Sequence, residues 1–138
     1  MPLSTYAGNK ILDLLFRGVA FTPPTEVWMS LHTADPGLTG ANEVSTGAWP
    51  AYVRMEPADG GAIGTGFTAA SSKAISTVID LLWPVHDGAG SITLTHVAFW
   101  DAETGGNCLH SAELVASKTI APSDRFVIPA GDGDITAD

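Results

Sequence analysis

The sequence predicts an all-β fold: a β-sandwich or jelly-roll-like domain carrying one short N-terminal helix. Three observations point there. Apolar and polar residues alternate with a period of two through a series of short segments. The 15 Gly and 9 Pro are spread along the chain, as suits many short elements joined by turns. Convincing helical spacing is confined to the first twenty residues. At 138 residues the chain is expected to form one domain, with residues 1–20 as helix and arm and residues 21–138 as the sandwich.

The helix comes first. Ser4 can cap it, Ala7, Ile11, Leu14 and Leu15 recur three or four residues apart, and Gly18 follows as a stop. Leu12 and Phe16 widen the apolar stripe. So broad an apolar face on so short a helix needs a partner, either its own sheet or a neighbouring subunit. A second helical candidate, near residues 70–79, is opposed by its β-branched residues.

Pro23-Pro24 closes the connecting segment. Residues 26–33 then alternate, with Val27, Met29 and Leu31 on one face and Trp28, Ser30 and His32 on the other. A long Gly-rich loop over residues 34–48 leads to a second expected strand, residues 51–56, and residues 60–66 read as a flexible link. Further strands are expected at residues 73–78, 80–85, 91–100, 108–114 and 125–129, with a weaker one near Ile135. In SITLTHVAFWD, strict alternation sets Ile92, Leu94, His96, Ala98 and Trp100 against Thr93, Thr95, Val97 and Phe99. Both faces carry bulk, which marks a central strand. AETGGN turns the chain into CLHSAEL as a hairpin.

Composition narrows function. Six Lys and Arg against 15 Asp and Glu give a formal charge of -9, which disfavours a phosphate-neutralising surface and hence nucleic-acid binding. The N-terminus lacks the basic region, apolar run and cleavage site of a signal peptide, and no apolar run approaches the roughly 20 residues that span a bilayer. A protein made in the cytoplasm, without a membrane partner, is therefore expected. A single cysteine, Cys108, leaves no intrachain disulfide and no Cys-based zinc site.

The segment LHTADPG at residues 31–37 is the densest polar cluster and the obvious place to look for chemistry. His32 and Asp35 could pair as a general base, but no GxSxG elbow supplies a nucleophile, and Cys108 lies in an apolar strand without a neighbouring cation. Asp-Pro-Gly is a turn sequence, and a turn is the reading these residues favour. His86, His96 and His110 show no short-range ligand spacing, although His96 and His110 flank one hairpin and could be neighbours across it. DGDITAD lacks the full EF-hand pattern, and the glycines of residues 60–66 are not followed by GK[ST]. No catalytic residue, cofactor or metal is expected. Of the four tryptophans, Trp83 and Trp100 read as core, whereas Trp49, beside Pro50 in a loop, is the candidate for exposure and for stacking on a sugar.

Taken together, YAGNKILDLLFRGVAFTPPTEVWMSLHTADPG, then NEVS, AYVR and LLWP, then ITLTHVAFWDAETGGNCLHSAEL and an AGDGDIT ending form a pattern. It resembles, nearly end to end, a family of small virion proteins of tailed bacteriophages commonly described as phage tail fibre proteins, some members being similar to head decoration or cement proteins. The most specific parts are N-xx-LD-xLF with the following PP-xx-V, the corner at residues 33–37, and the THxAFxDAxTGGN-x-L hairpin. Trp49-Pro50 ahead of Tyr52, and Gly133-Asp134 before Ile135, depart from the family pattern.

The resemblance implies a non-enzymatic structural protein of the virion. Its preferred role here is capsid decoration: a homo-oligomer, expected to be a trimer, that bridges subunits of the major capsid protein or other virion proteins. The alternative is a short tail-fibre or tail-attachment protein, and a carbohydrate-binding module ranks third. The expected interface residues are Ile11, Leu12, Leu15 and Phe16 on the helix and Asp35, Leu38 and Trp49 on the loop of residues 35–49, since neither segment is obviously consumed by a sandwich core.

Overall fold

Ser4 and Gly18 delimit the helix, the first by its hydroxyl and the second by its freedom to take a left-handed backbone. In the computed structural model, which describes residues 3–137, helix α1 spans Thr5–Arg17. The Ser4 hydroxyl accepts from the Ala7 N–H at 3.1 Å, and Gly18 takes φ +65°, so that the Val19 N–H reaches the Asp13 carbonyl at 3.1 Å. The remaining elements are strands: β1 (Trp28–His32), β2 (Ala74–Ser76), β3 (Leu81–Leu82), β4 (Ile92–Trp100), β5 (Cys108–Ile120), β6 (Val127–Ile128) and β7 (Asp134–Thr136). All pairings are antiparallel, in a three-stranded sheet of order β1-β4-β5 and two pairs, β2-β7 and β3-β6. This is the all-β, sandwich-like architecture with one N-terminal helix that the sequence predicts.

β4 is the central strand, but it does not alternate strictly. The register against β5 jumps between Leu94↔Lys118 and His96↔Glu113, leaving residues 114–117 opposite Thr95 alone. A bulge of this kind changes which face the following side chains take. Ile92 and Leu94 therefore share the main core with Val97 and Phe99, while Ala98 and Trp100 turn to the other face and join Cys108 and Trp28. The bulge also lengthens β5 to Ile120, six residues beyond the expected end at residue 114.

The expected strand at residues 51–56 is reduced to one bridge, in which Met29 and Met55 exchange hydrogen bonds of 2.7 and 2.9 Å. A side chain takes the next ladder position: the Leu31 N–H donates to the Tyr52 hydroxyl at 2.9 Å. Residues 60–66 form turns and a short 3-10 helix (Ile63–Thr65), anchored where the Glu56 carboxylate accepts the Gly60 N–H at 2.7 Å. Residues 70–79 contain β2, not a helix.

The main core gathers Met29, Leu31, Trp49, Tyr52, Trp83, Leu94, Val97 and Phe99. Trp49 is 0% exposed. The expectation of an exposed Trp49 is thereby corrected: its indole N–H donates to the Val85 carbonyl at 3.2 Å, its ring packs on Tyr52 and His86, and the Asp87 carboxylate fixes the neighbouring backbone by accepting the Ala51 N–H at 2.9 Å. With the indole enclosed, stacking of Trp49 on a sugar has no surface to act from.

Candidate interaction surface

The LHTADPG corner is a folding device. The Asp35 carboxylate accepts the Gly37 N–H at 2.8 Å, Gly37 sits at φ +60°, and the Asp35 carbonyl accepts the Asn42 side-chain amide at 2.8 Å. His32 is fully buried between two partners, Ser30 Oγ on Nε2 and the Ala41 carbonyl on Nδ1, both at 2.7 Å. A carbonyl can only accept, so Nδ1 carries the proton and Nε2 accepts from Ser30, whose oxygen accepts the Trp100 indole N–H at 2.7 Å. This chain of bonds runs Trp100, Ser30, His32, Ala41 and fastens the loop over the outer face of β1 and β4. Burial lowers the His32 pKa, as a neutral imidazole in this arrangement requires.

A second knot closes the same face. Arg54 lays its guanidinium 3.9 Å from the Trp100 ring centre and grips Glu43 through two bonds, Nε to Oε1 at 2.9 Å and Nη2 to Oε2 at 2.7 Å. Its Nη1 donates to the carbonyls of Ala102 and Gly105, both at 2.9 Å, so one side chain ties the β4–β5 hairpin loop to the loop after β1. Within the hairpin, Asp101 accepts both the backbone and side-chain N–H groups of Asn107, at 2.6 and 2.8 Å. The loop of residues 35–49, expected to be free of the core, is in large part consumed by it: Pro36, Val44 and Trp49 are buried and Glu43 is bonded.

The remaining polar groups are also placed by packing. His96 pairs in register with Glu113 and His32, whereas His110 stands opposite Phe99, so His96 and His110 are not neighbours across the hairpin. His86 bonds the Gly90 carbonyl at 2.7 Å and the Gly88 N–H at 3.2 Å. Among the described residues no three His, Cys, Asp or Glu side chains gather as a metal cluster. Burial raises the Cys108 pKa to about 11, which leaves the thiol protonated and unreactive at neutral pH. No helix among the described residues is long and apolar enough to cross a membrane.

What remains open is apolar surface. Helix α1 has no fully buried residue. It lies against β5 through its N-terminal end, where the Ser4 N–H donates to the Leu109 carbonyl at 3.0 Å and the Thr5 N–H to the Leu38 carbonyl at 3.2 Å. Tyr6, Ala7 and Ile11 look onto an apolar cleft of about 310 Å³ above the sheet. Farther out, Leu12, Leu15 and Phe16 are 56, 67 and 79% exposed. Of the expected interface residues, Leu12, Leu15 and Phe16 are exposed along α1, Ile11 lines the cleft, Leu38 is half-exposed beside the N-terminal end of the helix, Asp35 bonds within its own turn, and Trp49 is inside.

One surface was not anticipated. The β5 bulge leaves Val115 fully exposed and, with β6 and the turn into β7, borders a groove of about 630 Å³ floored by Met29, Val97 and Phe99. The signal available in the sequence was the apolar run LVA inside a segment otherwise read as strand end; nothing local shows that the register breaks there.

The family model described as "Podophage GP4 fiber I protein gp80" matches residues 2–136 of the chain. No curated protein matches it.

Proposed function

Because the chain belongs to the family of the podophage fibre I protein gp80, a structural kind of virion protein, we propose that it is a subunit of a phage fibre, non-enzymatic and built to assemble with copies of itself. The fibre role is the second of the three that the sequence suggested, and the family description favours it over capsid decoration. The observation that carries the reading is the match over residues 2–136. The fold supports it: the polar cluster at residues 31–37 is used up in folding bonds, while the apolar face of α1 is left uncovered on the isolated chain. A fibre subunit needs little more than that, since repeated weak contacts on a symmetric assembly add to a strong one. The assembly is proposed to be a homo-oligomer, a trimer by the earlier expectation, attached to other virion proteins.

Reconstruction of the intact particle by electron microscopy, with the chain located by a specific antibody fragment, tests this. A small number of copies in the appendages is the expected result. Hundreds of copies spread over the shell would overturn the fibre reading in favour of decoration. The enzymatic alternative is tested separately: substituting His32 or Asp35 should alter stability alone, and loss of a defined catalytic activity in a folded variant would overturn the non-enzymatic reading.

A further inference from the structure

Two apolar surfaces of opposite shape lie on this one chain, and neither covers the other. The first is convex: Leu12, Leu15 and Phe16 stand at i, i+3 and i+4 on α1, all substantially exposed, and Val19, just past the Gly18 cap, is exposed beside the helix end in sequence. The second is the concave groove beneath the β5 bulge, with Val97 in its floor and Leu114, Ala116 and Val127 on its sides. Amphipathic helices recognise apolar grooves through anchors at this i, i+3, i+4 spacing.

We propose that α1 of one copy docks into the β5–β6 groove of a second copy of the same chain. Charge selects this occupant. The chain has six basic residues in all, and α1 carries two of them, Lys10 and Arg17, against one acid, Asp13, which Arg17 bonds at 2.8 Å, so the helix keeps a net single positive charge. The groove lining includes Glu113, Asp132 and Asp134 against one base, Lys118. A basic amphipathic helix and an acid-rimmed groove are therefore complementary in sign, whereas two copies of α1 facing one another would oppose like charges. Pairing different patches on the two copies makes a head-to-tail contact, which closes into a ring when the rotation allows and otherwise propagates. It also explains the bulge: a regular β5 would not turn Val115 and Ala116 out of the sheet to border the groove.

The inference rests on the fibre-subunit reading for its second copy, and its test is separable from the test of that reading. Sedimentation velocity of the full chain over a concentration series is compared for the wild type, a helix variant Phe16→Asp, a groove variant Ala116→Trp/Val127→Asp, and an equimolar mixture of the two variants. The expected result is an oligomer for wild type, monomers for each variant alone, and a complex of two chains for the mixture, because the helix variant retains an intact groove and the groove variant an intact helix.

Should the groove variant unfold, a second pair is available on exposed positions. Glu113→Lys/Asp132→Lys should weaken association by on the order of tenfold, and adding Lys10→Glu/Arg17→Glu should restore it. A folded groove variant that assembles like wild type, a mixture that stays monomeric, or a wild type that is monomeric throughout would each overturn the contact. Location of the chain in the particle is independent of these variants: fibres containing a chain whose groove variant still assembles would leave the fibre role standing without this contact.

Discussion

At the residue scale, the opening polar cluster acts on stability. His32 is held neutral, its pKa lowered from 6.5 first by burial, with the Ala41 bond and Glu43 pulling the other way. In the unfolded chain the imidazole keeps its ordinary pKa, so between 6.5 and the lower folded value the unfolded state binds the extra proton. Stability from His32 is therefore fully present above 6.5 and is lost as the pH falls toward the lower folded value, with a slope of at most about 1.4 kcal/mol per pH unit. Urea unfolding between pH 7.5 and 5.5 should show this slope, and His32→Gln, neutral at both ends, should flatten it. Arg54 acts at the same scale by a different cause. Its side chain is 7% exposed and its partner Glu43 23%. Arg54→Met removes the cation, leaves the Glu43 carboxylate with the Tyr52 hydroxyl at 3.0 Å in place of its two guanidinium bonds, and takes the Arg54 donor from two loop carbonyls; the expected loss is roughly 3 kcal/mol in urea unfolding. Arg54→Lys should lie between, since one ammonium cannot reproduce the two-pronged bond.

At the scale of elements, α1 and β4 make opposite predictions from equally apolar sequences. Phe16→Ser on α1 removes a ring that the isolated chain leaves in water, so unfolding of dilute monomer should change by less than about 0.5 kcal/mol. Val97→Ala in β4 removes methyl groups from the main core and should cost on the order of 1–3 kcal/mol. Thermal unfolding at low protein concentration checks both. The contrast marks what was legible beforehand. The helix was, from Ser4 to Gly18, because caps and stops act within a few residues. So were β1 and its two faces, since nothing interrupts their alternation. The phase of β4 was not, because the bulge that shifts it lies in β5 and leaves ITLTHVAFW looking regular. Nor was the loss of the strand at residues 51–56, where Tyr52 satisfies a backbone N–H that a strand partner would otherwise take. Trp49-Pro50 read as an exposed loop because its carbonyl partner, Val85, is 36 residues away. The apolar helix face was visible in sequence, and the groove was not, for it is assembled from β5, β6 and the turn beyond them.

At the scale of the whole molecule, charge and apolar surface oppose one another in assembly. Each copy carries a formal charge of -9, so approaching copies repel over a range set by the ionic strength, while the proposed contact offers a few local attractions. Salt weakens both, but unequally. Lowering the Debye length from about 30 Å at 0.01 M to about 8 Å at 0.15 M removes repulsion between charges spread across two molecules, yet barely reaches pairs that meet within a few ångströms at an interface losing its water. Burial of Leu12, Leu15 and Phe16 is insensitive to salt over this range. Self-association should therefore strengthen between 0.01 and 0.15 M salt, and most of the gain should be reached by physiological ionic strength. Sedimentation equilibrium at the two salt concentrations reads it directly. Association that weakens with added salt would mean that ion pairs, and not the apolar face of α1, carry the contact between copies.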